Sequence, residues 1–313
     1  MDKKKLIITI VLVIIVTSIV VIITKKPASS INNKGKESIS IRPNEVNSIT
    51  LEEYSNDTFK MKKPVGWNVE SAGAGVYYAI RVYDTKDNNN QVFLMIKMQP
   101  LLKSEKAKKT WIDYANLSNN SSYKVFSEAV VLSNPTTEGF YKKFGDITKY
   151  MNKIEPTLSN FKFPTFNDFE KIEEFESGGS MKNVAKDSKI LRATFNGENS
   201  AKGEGMFMAS IVNFGDNFVN GTDILYYMVY DIVSITSAKD KFIDYKDVLL
   251  QSANSIEFSD AYVKKTIDDG NAQTKKALEL NASIQRAFDS YMSAWENRQK
   301  SYDIMSQKQS DAI

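Results

Sequence analysis

Hydrophobic and polar positions alternate through the middle of the chain and recur at helical spacing towards its end. In the first half, runs rich in β-branched and aromatic residues are separated by Gly, Asp and Asn, which predicts strands bounded by turns. These strands are expected at 58–62, 67–70, 76–83 and 91–98, with a hairpin loop at 84–90. Apolar residues three and four apart predict helices at 104–117, capped by Ser104, and at 136–154, ending before Pro156.

The second half opens with further strand-like runs, at 189–196, 206–214 and 224–235. The last run, ILYYMVYDIVSI, is apolar at both alternating sets of positions, so we expect a central strand buried on both faces. A helix at 240–254 and a short strand around Ile256 and Phe258 complete this block.

The C-terminal region, 261–313, has the spacing of one long amphipathic helix. Its apolar stripe extends further than an ordinary sheet face would cover, which makes it a candidate partner-binding surface. Alternatively, the stripe packs on its own domain, pairs with a second copy of the chain or lies on a membrane surface. The candidate partner-binding residues are Ile284, Phe288, Tyr291 and Trp295.

Residues 6–24 form an apolar run without a charge, Pro or Gly. At about 1.5 Å per residue, the run from Leu6 to Thr24 spans the roughly 30 Å hydrocarbon core of a bilayer. Its length, and the two lysines that follow it, favour a retained transmembrane anchor over a cleaved signal peptide. Because a short basic leader normally stays in the cytoplasm, we expect 1–24 to anchor the chain in the cell membrane with the remainder outside.

The anchor is followed by two regions of different composition. Residues 25–50 are rich in Ser, Asn and Lys without apolar periodicity, which is typical of a flexible spacer. Residues 51–260 carry the alternating blocks and are expected to form one α+β domain.

The charge balance and the missing residue types limit the chemistry. The formal net charge of +3 comes from 41 Lys+Arg and 38 Asp+Glu, and the leader before the anchor holds three lysines and one Asp. The remainder is therefore nearly neutral and lacks the basic surface that nucleic acid requires. With no Cys and no His, thiol nucleophiles, disulfides and the commonest general base and metal ligand are absent. We expect no cofactor, no metal and no catalytic site.

One segment of the first block resembles a known family. Phe59-Lys-Met-Lys-Lys-Pro64-Val-Gly66-Trp67-Asn-Val69 is similar to the opening hairpin of PsbP-like (Mog1/PsbP) domains, in which a strand leads through a Pro-x-Gly-Trp turn into a second strand. The turn also has a physical basis of its own. Pro64 fixes φ and Gly66 relieves the backbone, so that Trp67 can fold onto the sheet as a core anchor.

The end of the domain resembles the same family. Phe242, Tyr245 and then Ile256 and Phe258 are similar to its closing helix and short strand. The resemblance implies an α+β fold with an antiparallel sheet flanked by helices, used for docking rather than catalysis. The tail around Trp295 is similar to the C-terminal region of uncharacterised clostridial membrane-anchored proteins.

Two loop patterns could bind ligands. Asp84, Asp87 and the three asparagines that follow offer oxygen ligands for Ca²⁺, but no acidic residue ends the loop as in an EF-hand, and an exposed turn is favoured. Gly73-Ala-Gly75 and Gly203-Glu-Gly205 lack the third Gly or Gly-Lys-Ser/Thr ending of phosphate loops, so both are interpreted as strand-end turns.

Two further patterns could support hydrolysis. Ser-x-x-Lys occurs at Ser121–Lys124 and Ser159–Lys162, without the Lys-Thr-Gly that accompanies such a nucleophile and base. The carboxylate pairs Glu173/Glu174 and Asp268/Asp269 would need a separation across a sugar that sequence cannot supply, and adjacent carboxylates usually form a solvated face.

These observations favour a membrane-anchored, extracytoplasmic binding or scaffold module of the cell envelope, without catalytic activity. Its partner would be an unknown envelope protein or ligand. Two alternatives remain: a cell-envelope hydrolase using Asp/Glu or Ser/Lys chemistry, and a structural oligomer that self-associates through the C-terminal helix.

Overall fold

A computed structural model of the protein describes residues 49–118, 120–239 and 241–268. The predicted anchor at 6–24, nearly all of the spacer and the C-terminal stripe of Ile284, Phe288, Tyr291 and Trp295 lie outside the described residues. Within those ranges, no helix is both long enough and apolar enough to cross a membrane.

Twelve strands are present in the described residues. They are β1 (Leu51–Ser55), β2 (Phe59–Pro64), β3 (Asn68–Ala72), β4 (Ala79–Asp84), β5 (Asp87–Leu102), β6 (Asn167–Glu176), β7 (Asp187–Asn196), β8 (Lys202–Asn213), β9 (Phe218–Val219), β10 (Thr222–Asp223), β11 (Tyr226–Ala238) and β12 (Glu257–Phe258).

Six α-helices accompany these strands in the described ranges. They are α1 (Glu105–Leu117), α2 (Ser121–Glu128), α3 (Thr137–Lys142), α4 (Phe144–Ile154), α5 (Phe242–Asn254) and α6 (Asp260–Asp268).

The main sheet has seven antiparallel strands in the order β3-β4-β5-β11-β8-β7-β6. Its centre is formed by β5 and β11, which pair along most of their length. All residues of β11 except its two end residues are buried, as expected for a strand covered on both faces. The predicted α+β class with an antiparallel sheet and flanking helices is confirmed.

One face of the main sheet is covered by α5 and by a second, three-stranded sheet in the order β1-β2-β12. Phe59 and Met61 of β2 contribute buried side chains at alternate positions, and Phe242 and Leu249 of α5 contribute two more. Trp67 belongs to this core and is only 9% exposed, so its prediction as a core anchor is confirmed.

The opposite face is covered by α3 and α4 and is rich in aromatic side chains. Tyr141 of α3 is completely buried and stacks on Phe144 and Phe169, with ring centroids 5.7 and 5.4 Å away. Its hydroxyl donates to the carbonyl oxygens of Met208 and Val233, at 2.8 and 3.1 Å. A helix side chain thereby supplies a hydrogen-bond donor to carbonyl oxygens in the centre of the sheet, which water does not reach.

A bulge interrupts the ladder between β11 and β8. The register shifts by one residue between Tyr230 and Val233, and Asp231 adopts a φ of +53°. The buried Asp231 carboxylate accepts hydrogen bonds from the hydroxyls of Ser180 and Ser210, at 2.8 and 2.7 Å, and from a backbone amide. Burial nevertheless raises the pKa of Asp231, and the hydrogen bonds oppose that rise only in part.

The predicted loop at 84–90 is wrong in extent. Only Thr85 and Lys86 connect β4 to β5, and Asp87–Asn90 belong to β5 itself. Asparagines are uncommon in strands, but two of the three in this segment, Asn89 and Asn90, form hydrogen bonds with the backbone of neighbouring segments. Asn89 Nδ2 donates to a carbonyl at Ala201, and Asn90 Oδ1 accepts from the amide of Ala238.

The predicted opening hairpin is also corrected. β2 pairs with β1 and β12, whereas β3 pairs with β4, so the Pro64–Trp67 turn joins two different sheets. Gly66 has a φ of +80° and the Trp67 amide donates to the Pro64 carbonyl at 3.1 Å, as expected for a tight turn.

Other differences concern segments whose partners are remote in sequence. The helix predicted at 136–154 is broken at Lys143 into α3 and α4, and β1, α2 and β6 were not predicted. Gly203-Glu-Gly205 is part of β8 and not a turn. A Cβ at Gly205 would lie 2.5 Å from the carbonyl oxygen of Ile235, so glycine there permits close approach of the strands.

Asp231→Asn is expected to gain stability over the wild type as pH rises. Because burial raises the folded-state pKa of Asp231, its contribution is fully present below the unfolded pKa and is lost as pH rises through the folded pKa. Asn tolerates the positive φ and can keep the same partners without ionising. Urea unfolding of both proteins at about pH 4 and about pH 7 checks this. A stability difference that is equal at both pH values would contradict it.

Candidate functional site

A cavity of about 250 Å³ lies where the end of β5 meets α2 and α4. Most of its wall is apolar or aromatic, with a few polar groups, the composition typical of small-molecule sites. It is lined by Tyr77, Gln99, Pro100, Val125, Phe126, Met151, Ile154, Glu155 and Tyr226.

A second bulge, in β5, brings polar chemistry to this cavity. Tyr227 pairs with Leu101 and Val229 pairs with Met98, so two residues of β5, Gln99 and Pro100, lie opposite one residue of β11. Pro100 has no amide hydrogen to donate to the ladder, which suits it to a bulge. Bulges redirect side chains, and here Gln99 and Pro100 both line the cavity.

The turn before β4 places Tyr77 against Gln99. Gly73 has a φ of +106°, and a Cβ at this position would lie 2.1 Å from the carbonyl oxygen of Tyr77. Only glycine permits that approach. The Tyr77 hydroxyl then accepts a hydrogen bond from Gln99 Nε2. Gly73-Ala-Gly75 is therefore a strand-end turn, as predicted, and it positions a cavity residue.

The remaining wall is provided by two helices that are tied together. Val125 and Phe126 come from α2, and Met151 and Ile154 come from α4. The Tyr150 hydroxyl of α4 donates to the Val125 carbonyl at 2.9 Å, which fixes the two helices against each other. The apolar wall is thus held by a partly buried hydrogen bond as well as by packing.

Phe126 is held from the outside by α1. Its ring stacks on Trp111 with centroids 4.5 Å apart, and Trp111 Nε1 donates to the Ile224 carbonyl at 2.8 Å. On its other side, Phe126 contacts Tyr226, with centroids 5.6 Å apart. These contacts fix two aromatic rings at the cavity wall, with little rotamer freedom left to lose on binding.

The polar groups of the cavity wall differ in whether their oxygens already accept a hydrogen bond from the protein. Gln99 Oε1 is buried, and none of the described residues donates to it. Glu155 Oε1 accepts from the amide and the hydroxyl of Thr157, at 3.2 and 2.7 Å. Gln99 Oε1 has almost no exposed area, so it lies behind the cavity surface, where a buried acceptor without a donor costs about 1–3 kcal/mol.

Both tyrosine hydroxyls of the cavity remain protonated at neutral pH. Burial raises the pKa of Tyr77, and the nearby charge of Glu155 adds to this. Burial also raises the pKa of Tyr226, and the proximity of Tyr77 adds to the shift.

Lys97, which lies outside the cavity, also has a perturbed pKa. Burial alone lowers the pKa of its amine to about 8, and within the described ranges it forms no ion pair. Its Nζ lies 5.2 Å from the centroid of the Tyr230 ring, so the cation is partly stabilised by the ring face. Lys97 does not line the cavity.

The candidate calcium ligands are used within their own turn. Asp84 Oδ1 accepts from the amide of Lys86 and Asp87 Oδ1 from the amide of Asn89, at 2.9 and 3.1 Å. In the described part of the chain, no group of three or more acidic side chains could hold a metal ion.

The candidate hydrolytic groups are not brought together at the cavity. The Ser159 hydroxyl donates to the Pro156 carbonyl at 2.9 Å, and Glu174 pairs with Lys171 on the edge strand β6. Glu173 also lies on β6, and Ser121 begins α2, but the side chain of Ser121 is outside the described residues, as is Asp269.

The cavity residues have no motif in the sequence that marks them as a site. Tyr77 was included in a predicted strand at 76–83, and α2 was not predicted at all. One signal was available: a proline directly after a strand-like run, as at Gln99-Pro100, indicates a bulge or a strand end.

The fold defines the class of protein as an α+β domain built on a seven-stranded antiparallel sheet with helices on both faces.

No protein-family model matches the chain. No curated protein matches it either. Among solved structures, it is similar to the solution structure of cyanobacterial PsbP (CyanoP) from Synechocystis sp. PCC 6803, with 13% sequence identity over 75% of this chain and 100% of that chain. The TM-score is 0.25, so the likeness carries no argument about function.

Gly73→Ala is expected to lower the free energy of unfolding by about 1–3 kcal/mol or more, because the new Cβ meets the Tyr77 carbonyl and the φ is unfavourable. Gly145→Ala in α4 is a matched control: a Cβ there meets nothing within 4 Å, and alanine favours the helix by about 1 kcal/mol. Denaturant unfolding measures both. Equal effects of the two substitutions would contradict the role of Gly73.

Proposed function

We propose that the protein is a non-catalytic binding module of the cell envelope, tethered by residues 6–24 with its α+β domain outside the cell membrane. In this proposal the domain is PsbP-like, and its cavity at the end of β5 binds a small ligand. The C-terminal stripe, from Ile284 to Trp295, is proposed as a separate surface for a protein partner or a second copy.

The observation that carries the binding function is a preformed cavity whose wall is mostly apolar. Val125, Phe126 and Ile154 form much of this wall, and Gln99 and Glu155 are among its polar residues. An apolar pocket with a few convergent polar groups is the usual form of a small-molecule site. The wall is fixed by the hydrogen bonds of Tyr150 and Trp111, so binding would require little reorganisation.

The tethered topology is supported by sequence alone. The apolar run from Leu6 to Thr24 is long enough to span a bilayer, and a basic leader precedes it. A spacer rich in Ser and Asn would hold the domain away from the bilayer surface.

The binding function predicts that Val125→Trp removes ligand contacts by filling the cavity. Phenethyl alcohol, a small amphipathic probe with one hydroxyl donor, is expected to receive saturation transfer from the wild-type protein in NMR and much less from the variant. Lys124→Trp adds the same bulk at an exposed position of α2 and is the matched control, with wild-type transfer expected. Equal transfer to the probe in all three proteins would show that the cavity is not the binding site.

The topology predicts which residues are reached from outside an intact cell. The chain has no Cys, so Thr85→Cys in the exposed β4–β5 turn introduces the only thiol. A membrane-impermeant maleimide should label Thr85→Cys in intact cells, whereas Asp2→Cys in the leader should react only after permeabilisation. Labelling of Thr85→Cys only in permeabilised cells would place the domain in the cytoplasm.

A further inference from the structure

We infer that the ligand of the β5 cavity is an organic ammonium ion, whose hydrocarbon part packs against the helical wall. This inference rests on the proposed binding function and names the chemical class that the cavity selects.

The charged group of the cavity wall is a carboxylate. Glu155 lines the cavity, and its Oε1 accepts hydrogen bonds from Thr157. An ammonium group carries only donors and a positive charge, and so matches this carboxylate. None of the nine lining residues is Lys or Arg, so an anionic ligand would meet the Glu155 carboxylate without a compensating cation.

The aromatic residues extend the apolar wall. Tyr77, Phe126 and Tyr226 all line the cavity. Because Phe126 stacks on Trp111 and Tyr226 stacks on Phe214, with centroids 4.5 Å apart in each pair, these rings contribute apolar surface to the cavity.

The apolar part of the wall specifies the remainder of the ligand. Pro100, Val125, Met151 and Ile154 offer only hydrocarbon or thioether surface. A bare inorganic cation would leave this surface in contact with water, whereas an amine with an alkyl or aryl body would cover it. The cavity volume of about 250 Å³ suits a small amine rather than a peptide.

The test compares phenethylamine, an ammonium ion at neutral pH, with phenethyl alcohol, its neutral analogue of nearly the same shape. Isothermal titration calorimetry of the full-length chain in maltoside micelles, with protein-free micelles as the blank, measures both affinities. The amine is expected to bind at least about tenfold more tightly than the alcohol.

Two substitutions locate the cation. Glu155→Gln removes the charge at nearly constant shape and should weaken amine binding roughly tenfold, while leaving alcohol binding within about twofold. Asp146→Asn is the matched control, because Asp146 is an exposed carboxylate of the adjoining α4 and does not line the cavity; it should change neither affinity. Circular dichroism melts establish that both variants are folded.

The outcomes separate this inference from the proposed function. If alcohol and amine bind equally well, the ammonium assignment is wrong while the binding function stands. If the amine binds more tightly but Glu155→Gln and Asp146→Asn weaken it equally, the cation does not lie in this cavity and the assignment is again wrong. If neither probe binds, both the assignment and the proposed function fail.

Discussion

The antiparallel pairing of β5 with β11 runs through the centre of the main sheet, and each of the two hydrophobic cores is built on one of its faces. Near the end of β5 this pairing accommodates one extra residue, so that Gln99 and Pro100 lie opposite a single residue of β11. A regular ladder would alternate Gln99 into one face of the sheet. The bulge instead leaves its side chain against Tyr77, with one amide oxygen unpaired. The wall of the cavity therefore depends on a bulge in the central pairing of the sheet.

The bulge at Asp231 shows how the same sheet compensates for an interrupted ladder of hydrogen bonds. On one face Ser180 and Ser210 donate to the Asp231 carboxylate, and on the other the Tyr141 hydroxyl reaches two strand carbonyls. The Asp231 carboxylate is thus paired with donors from within the domain. Gln99 Oε1, by contrast, has no donor among the described residues, and the same holds for Asn152 Oδ1, Ser234 Oγ, Ser252 Oγ and Asn254 Oδ1. A buried atom without a partner is therefore not peculiar to the cavity, and the case for the cavity rests on its wall.

Much of the sheet could be predicted because its strands alternate clearly. The central strand at 224–235, the cap at Ser104 and the core position of Trp67 follow from local pattern and turn chemistry, and the structure confirms them. Segments whose partners are remote could not be predicted in the same way. The asparagines at the start of β5 resemble a loop until Ala201 and Ala238 supply their hydrogen bonds.

The cavity was beyond sequence analysis for a related reason. Tyr77 and Gln99 are brought together by a turn at Gly73 and a register shift, neither of which has a periodic signature. Its other wall comes from α2, a helix too short to show a clear apolar period. A pattern of hydrophobic positions predicts which residues are buried, but not which buried polar atom lacks a partner.

The most direct test of this account is a crystal structure of the protein with phenethylamine. The account predicts the amine nitrogen beside the Glu155 carboxylate, with the phenyl ring against Val125 and Ile154. It would be contradicted by a ligand bound elsewhere, or by an amine nitrogen that lies away from Glu155.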